Sequence, residues 1–286
     1  MTDDFEDVEV PSVPPPDIPK TIPEDERYLL LLTKPLEVCA KYRPKFGQGG
    51  TGVSVEEFQS LYGGDPFYSW MGLDSPLMYA AHKAAGGMTS VYRQLGIGAQ
   101  WIFNQVLQDY LGLTKEEANW TYQVPSTNPD KVRSLSLDAR FELAIMRNAE
   151  AKVRVQSWMD EAYKKLLLPQ ERSETITGAV FEARQGYKSK DSKRQNADIS
   201  NASNAYVHGY IPVLLLFSNQ LDEALAGRYS GAQWLILRGV MGGSSLNSTY
   251  TFCRDIVGYD LAAFFERNSE KIRTNMEQTL KALLSA

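Results

Sequence analysis

The sequence predicts an α/β fold: a mixed central sheet flanked by helices, with the core at about residues 90–240 and helical additions before and after it. Two observations predict it. From Leu135 to Ile145 apolar and polar residues alternate, the period of a strand with one wet face. Tyr210–Phe217 and Trp234–Leu237 are continuous apolar runs, the signature of strands buried on both faces, and helical patterns separate them.

Each element has a local reason. Tyr28–Lys45 is apolar and broken by Pro35, which reads as a helix and its approach. Val55–Tyr62 is a short helix capped by Ser54, with Glu57 completing a capping box, and Gly63-Gly64-Asp65-Pro66 ends it. Phe67, Tyr68 and Trp70 then fall in an aromatic loop. Ser75–Ala85 reads as a helix stopped by Gly86-Gly87, and Gly98–Leu111 as a second one. Thr114–Glu117 is another capping box. After the alternating strand come a helix over 147–168, a β-branched strand over Thr175–Arg184, and a helix over Asp191–Val207. Asp222–Tyr229 is helical, Met241–Ser248 is a Gly/Ser loop, and Asp255–Phe265 and Glu270–Leu284 are terminal helices. The stripe Ile272, Met276, Leu280 and Leu283 serves either the chain's own core or a dimer face.

The charge is unevenly distributed. Residues 1–26 hold nine acids, one base and six of the fourteen prolines, a charge of −8. The whole chain sums to −5, so residues 27–286 carry +3. We expect residues 1–26 to be a disordered acidic tail and 27–286 a single α/β domain. The longest apolar runs fall far short of the ~20 residues of a membrane helix, the acidic start is unlike a secretory leader, and Cys39 and Cys253 are no disulfide framework. A cytoplasmic protein with no membrane partner is expected.

Only two histidines, His82 and His208, are present, and neither zinc-ligand spacing nor a G-x-S-x-G elbow occurs. Gly47–Gly52 has no Lys-Ser/Thr after it and is no P-loop; Gly96-Ile97-Gly98 lacks the third glycine of a dinucleotide fingerprint. Any catalysis therefore falls to carboxylates, lysines or a metal held by oxygen ligands.

Val180–Asp198 is the stretch with chemistry in it. Arg184–Arg194 contains five bases (Arg184, Lys188, Lys190, Lys193, Arg194) and one acid, +4 in eleven residues. Such a run is either a solvated loop or a phosphate-binding one. Glu182 stands inside the preceding apolar strand, sharing a face with Val180 and Arg184, and a carboxylate there is costly unless it is paired or binds a cation. The cluster follows a strand end, the usual binding position in α/β sheets, and Gln195 and Asn196 are suited to base edges.

A strand bearing Glu-x-Arg, then a basic helix and a fully buried strand, resembles the PD-(D/E)xK nuclease core. The run EARQGYKSKDSKRQNADISNA, with YRQLGIGAQ upstream, resembles type II restriction endonucleases in particular. The resemblance implies a restriction-endonuclease-like core and a Mg2+-dependent enzyme cutting double-stranded DNA as a homodimer. Glu182 then matches the motif acid and Arg184 occupies the lysine slot. Arg184 can stabilise charge but cannot act as a base, so Lys188 or Lys190 would supply the ammonium. Asp138 matches the upstream metal-binding acid, with Glu142 and Glu174 as rivals, and the 147–168 helix would be inserted between neighbouring strands. Gln100 stands where the family often has a Glu on its leading helix. Gln100, Arg184, Lys188, Lys190, Lys193, Arg194, Gln195 and Asn196 would contact DNA, and Asp138, Glu182, Arg184 and Lys188 would form the catalytic set. Two other readings stand beside this one: a non-catalytic nucleic-acid binder using residues 184–194, with Glu182 ion-paired to Arg184 or Lys188, and a small-molecule enzyme built on a Lys-Glu pair.

Overall fold

A computed structural model describes residues 15–45, 52–125, 132–169, 175–186 and 201–284. The protein is mixed α/β. Its main sheet has strands β3 (Ala139–Glu142), β4 (Gly178–Arg184), β5 (Tyr210–Leu216) and β6 (Leu235–Leu237) in that spatial order. β3 is antiparallel to β4, whereas β4–β5 and β5–β6 are parallel. Every residue of β4 and β5 is buried, as continuous apolar runs require of central strands.

One face of the sheet (Phe141, Phe181, Ile211, Val213, Leu215) packs on Phe103 and Val106 of α4 (Pro76–Leu111) and Trp158 of α6 (Ala149–Lys165). The other face (Val180, Leu214, Leu216) packs on α7 (helical residues 201–207), α8 (Glu223–Gly231) and a separate hairpin. That hairpin pairs β1 (Trp120–Pro125) with β2 (Val132–Leu137). The 147–168 helix does connect two neighbouring strands: α6 lies between β3 and β4.

Both capping boxes form, Ser54–Glu57 on α2 (Val55–Gly63) and Thr114–Glu117 on α5 (Lys115–Ala118). Other expectations are corrected. Gly86-Gly87 does not stop a helix: α4 runs unbroken for 36 residues. These glycines mark close approaches instead. A Cβ at Gly86 would lie 2.0 Å from the Tyr42 hydroxyl, one at Gly87 2.5 Å from Leu283, and one at Gly98 2.5 Å from the Leu32 carbonyl. The aromatic segment contains a short helix, α3 (Pro66–Trp70), whose N-terminal amides Asp65 caps. Glu24, Asp25 and Glu26, expected in the tail, form the first turn of α1 (Glu24–Thr33). There Asp25 takes a bidentate pair from Arg267 (2.9 and 3.0 Å), and Tyr110 donates to Glu24. The C-terminal region forms a π-helical turn, Phe252–Val257, and one helix, α9 (Leu261–Leu284). Leu283 and Met276 of α9 join Leu36, Cys39 and Val91, so this part of the stripe serves the chain's own core. Among the described residues no helix is long and apolar enough to cross a membrane.

Candidate active site

The alternating stretch is not one strand. It breaks at Asp138, where the chain leaves the hairpin and enters the main sheet, and the segment Leu143–Ile145 turns into a 3-10 helix. Leu137 packs with the hairpin's core and Ala139 with the core under α4. Asp138 stands at the crossing point.

The β3–β4 register pairs Ala139 with Phe181 and Arg140 with Val180. Regular pairing stops there, and Asp138 lies just outside the ladder. The Asp138 amide donates to the Phe181 carbonyl at 2.9 Å. Its carboxylate Oδ2 accepts the Ala183 amide at 2.8 Å, taking up a donor that a longer β3 would have bonded through its main chain. Two acids 44 positions apart in sequence thus come to one place, since Asp138 bonds the amide of the residue that follows Glu182.

Glu182 sits mid-strand in the fully buried β4, paired in register with Leu214 of β5. It is 9% exposed and Arg184, two residues along on the same face, 8%. Arg184 Nη2 and Nε both donate to Glu182 Oε1, at 2.8 and 3.0 Å. That pairing meets the requirement that a buried carboxylate have a cationic partner.

Asp138 is held from a second direction by a residue the sequence did not flag. Asn104 of α4 is buried, and its Nδ2 donates to the Asp138 carbonyl (2.9 Å), the Asn119 side-chain oxygen (3.1 Å) and the Ala118 carbonyl (3.3 Å). Gln108 in turn donates to Asn104 Oδ1 at 2.7 Å. Its only signal in the sequence is a polar residue between the apolar positions Phe103 and Val106. Gln100 is half-buried one turn earlier on the same helix.

The rival acid Glu142 is separated from this point. It pairs with Gly178 at the far end of the ladder and accepts from the Tyr210 hydroxyl at 3.1 Å. Burial raises the Tyr210 phenol above its ordinary pKa, so it stays a donor at neutral pH. Arg140 does not pair with Asp138 among the described residues: it donates to the Glu117 carbonyl and the Tyr210 hydroxyl. Glu174, Lys188, Lys190, Lys193, Arg194, Gln195 and Asn196 lie outside the described residues.

The Asp138 and Glu182 carboxylates are hard oxygen donors of the kind Mg2+ takes, and Mg2+ commonly keeps several waters and uses only one or two carboxylates. No group of three or more His, Cys, Asp or Glu occurs among the described residues, so the pair would hold such an ion without a protein cage. Comparison with protein-family models, with curated proteins and with solved structures finds no match.

Proposed function

We propose that the protein is a Mg2+-dependent endonuclease of double-stranded DNA, built on a restriction-endonuclease-like core and cutting at specific sites as a homodimer. One observation carries the reading: the Asp138 carboxylate accepts the amide of Ala183, the residue after Glu182, and β4 leads through α7 to a parallel, fully buried β5. A strand, a helix and a parallel buried strand in this order support the reading.

In this reading Asp138 and Glu182 hold the ion. Bound there, Mg2+ supplies a water of lowered pKa and charge neutralisation at the scissile phosphate. The Ala183 amide and Asn104 fix where the Asp138 carboxylate stands, so the site is organised before DNA arrives. Arg184 neutralises Glu182 and offers a permanent cation to the charge that develops on the phosphate; it cannot take the water's proton. That proton passes to bulk water or to a lysine of the 188–194 segment.

The test is digestion of a high-complexity DNA of known sequence with and without Mg2+, followed by mapping of the ends. Wild type is expected to give discrete ends only with Mg2+. Glu182→Gln and Asp138→Asn are expected to remain folded and to cut at least ~10³-fold more slowly, the loss expected when charge stabilisation of the transition state is removed. Full cutting by both variants would overturn the assignment. The Glu182–Arg184 ion pair also favours one other reading, a non-catalytic nucleic-acid binder in which the pair is structural. Salt-dependent binding with no cutting at any Mg2+ concentration would select it.

A further inference from the structure

The β1–β2 hairpin is no part of the main sheet, and its construction gives it a separate task. Its inner face is apolar and buried: Trp120, Tyr122 and Leu137 pack with Ala202 and Ala205 of α7 and with Tyr210 of β5. Trp120 and Tyr122 stack at 4.4 Å. Its outer face carries Thr121, Gln123 and Ser136, all exposed, with Thr121 and Ser136 directly opposite one another in the register. These outward groups are uncharged donors and acceptors. A surface kept only for solubility favours Lys and Glu, and a phosphate-binding one favours Lys and Arg. Uncharged amides and hydroxyls are instead the groups that read base edges.

The hairpin is also tied to the acidic pair. It ends at Leu137, and Asp138 is the next residue. Both of its feet, Ala118-Asn119 before β1 and Asp138 after β2, are bonded to the single Asn104 amide. Its outer face is thereby held at a fixed offset from Asp138, as a specificity element must be if recognition is to set where cutting occurs.

We propose that this hairpin is the specificity element, entering the major groove of duplex DNA with Gln123 and Thr121 against base edges. The proposal rests on the endonuclease reading above. A two-stranded ribbon fits a major groove about 12 Å wide, and a bidentate Gln–adenine pair discriminates against the wrong base.

The experiment selects duplexes from a randomised library by binding in Ca2+, then assays cutting of the selected and scrambled duplexes in Mg2+. Wild type, Gln123→Ala, Thr121→Ala and the control Lys115→Ala on α5 are run together. Gln123→Ala is expected to lose its preference at one or two adjacent base pairs by roughly ten- to a hundredfold, while Mg2+-dependent cutting of DNA persists. Lys115→Ala should match wild type. Retention of the wild-type selected sequence by both hairpin variants, at wild-type affinity, would overturn the hairpin proposal and leave the endonuclease reading intact. Failure of wild type to cut any duplex would instead overturn the endonuclease reading. If Gln123→Ala fails to fold, Gln123→Glu is used: it keeps the shape, loses a donor and should reject the wild-type sequence.

Discussion

The two faces of β4 carry different chemistry, although both are buried. Phe181 and Ala183 face the core under α4, where Phe181 meets Phe103 at 5.1 Å and Phe141 at 5.4 Å, all rings. Glu182 and Arg184 face the other way, one residue out of phase, and place an ion pair in a strand that otherwise reads as core. The first face lowers the free energy of the fold. The second contributes little net stability, since desolvation of a buried ion pair roughly cancels its attraction. Adjacent residues in one strand are thus under opposite demands, and a charge kept where an apolar residue would serve stability as well points to function.

Substitution separates the demands. Removing the carboxylate should abolish Mg2+-dependent cutting, as argued above, with folding intact. Phe181→Ala should do the reverse: lose roughly 3–5 kcal/mol of stability through the cavity left among Phe103, Phe141 and Phe252, while the properly folded fraction keeps its activity. Urea unfolding measures the first, and activity per folded molecule the second. If Phe181→Ala also removed activity from fully folded protein, the faces would not be separable.

Asn104 tests where the two demands meet, because it belongs to the core helix and serves the polar crossing point. Asn104→Ala leaves the Asp138 and Ala118 carbonyls without that donor, at an expected cost of about 1–3 kcal/mol. It should also raise the Mg2+ concentration needed for half-maximal cutting, since the Asp138 backbone is no longer held. A stability loss with an unchanged Mg2+ requirement would make Asn104 a purely structural residue.

The legibility of the sequence divides along the same line of local against distant causes. The capping boxes at Ser54 and Thr114 and the buried run Tyr210–Phe217 were readable because their causes lie within a few residues. Glu182 was readable because a charge breaks an apolar period. Gly86 and Gly87 were misread as helix stops because their reasons, Tyr42 and Leu283, lie far along the chain. The alternation around Asp138 has the period of one uninterrupted strand, and no local signal marks where its partner changes from β1 to β4. β1 itself went unread, since Trp120–Pro125 is short and becomes a strand by pairing with β2. Asn104 takes its importance from three partners on other elements.

The smallest expected effect lies at the edge of this construction. Glu117, in the helical turn beside the hairpin's first foot, accepts both arms of Arg147 at 2.6 and 2.8 Å. The Arg147 bonds first, and then the Thr114 amide, lower its carboxyl from an ordinary 4.5 to about 2. The folded value lies below the unfolded one, so the unfolded chain takes up the proton first. The contribution of Glu117 is therefore complete above about pH 4.5 and is lost as pH falls through about 2. Solvent reaches Arg147 freely, which keeps the effect small. Urea midpoints of wild type and Glu117→Gln should differ at pH 6 and converge as the pH falls toward 2, with Mg2+-dependent cutting at pH 7 unaltered. A difference that stayed constant down to pH 2 would mean that Glu117 acts through the shape of the capping box alone, and the charge beside the hairpin's foot would then do nothing for the strand that carries Asp138.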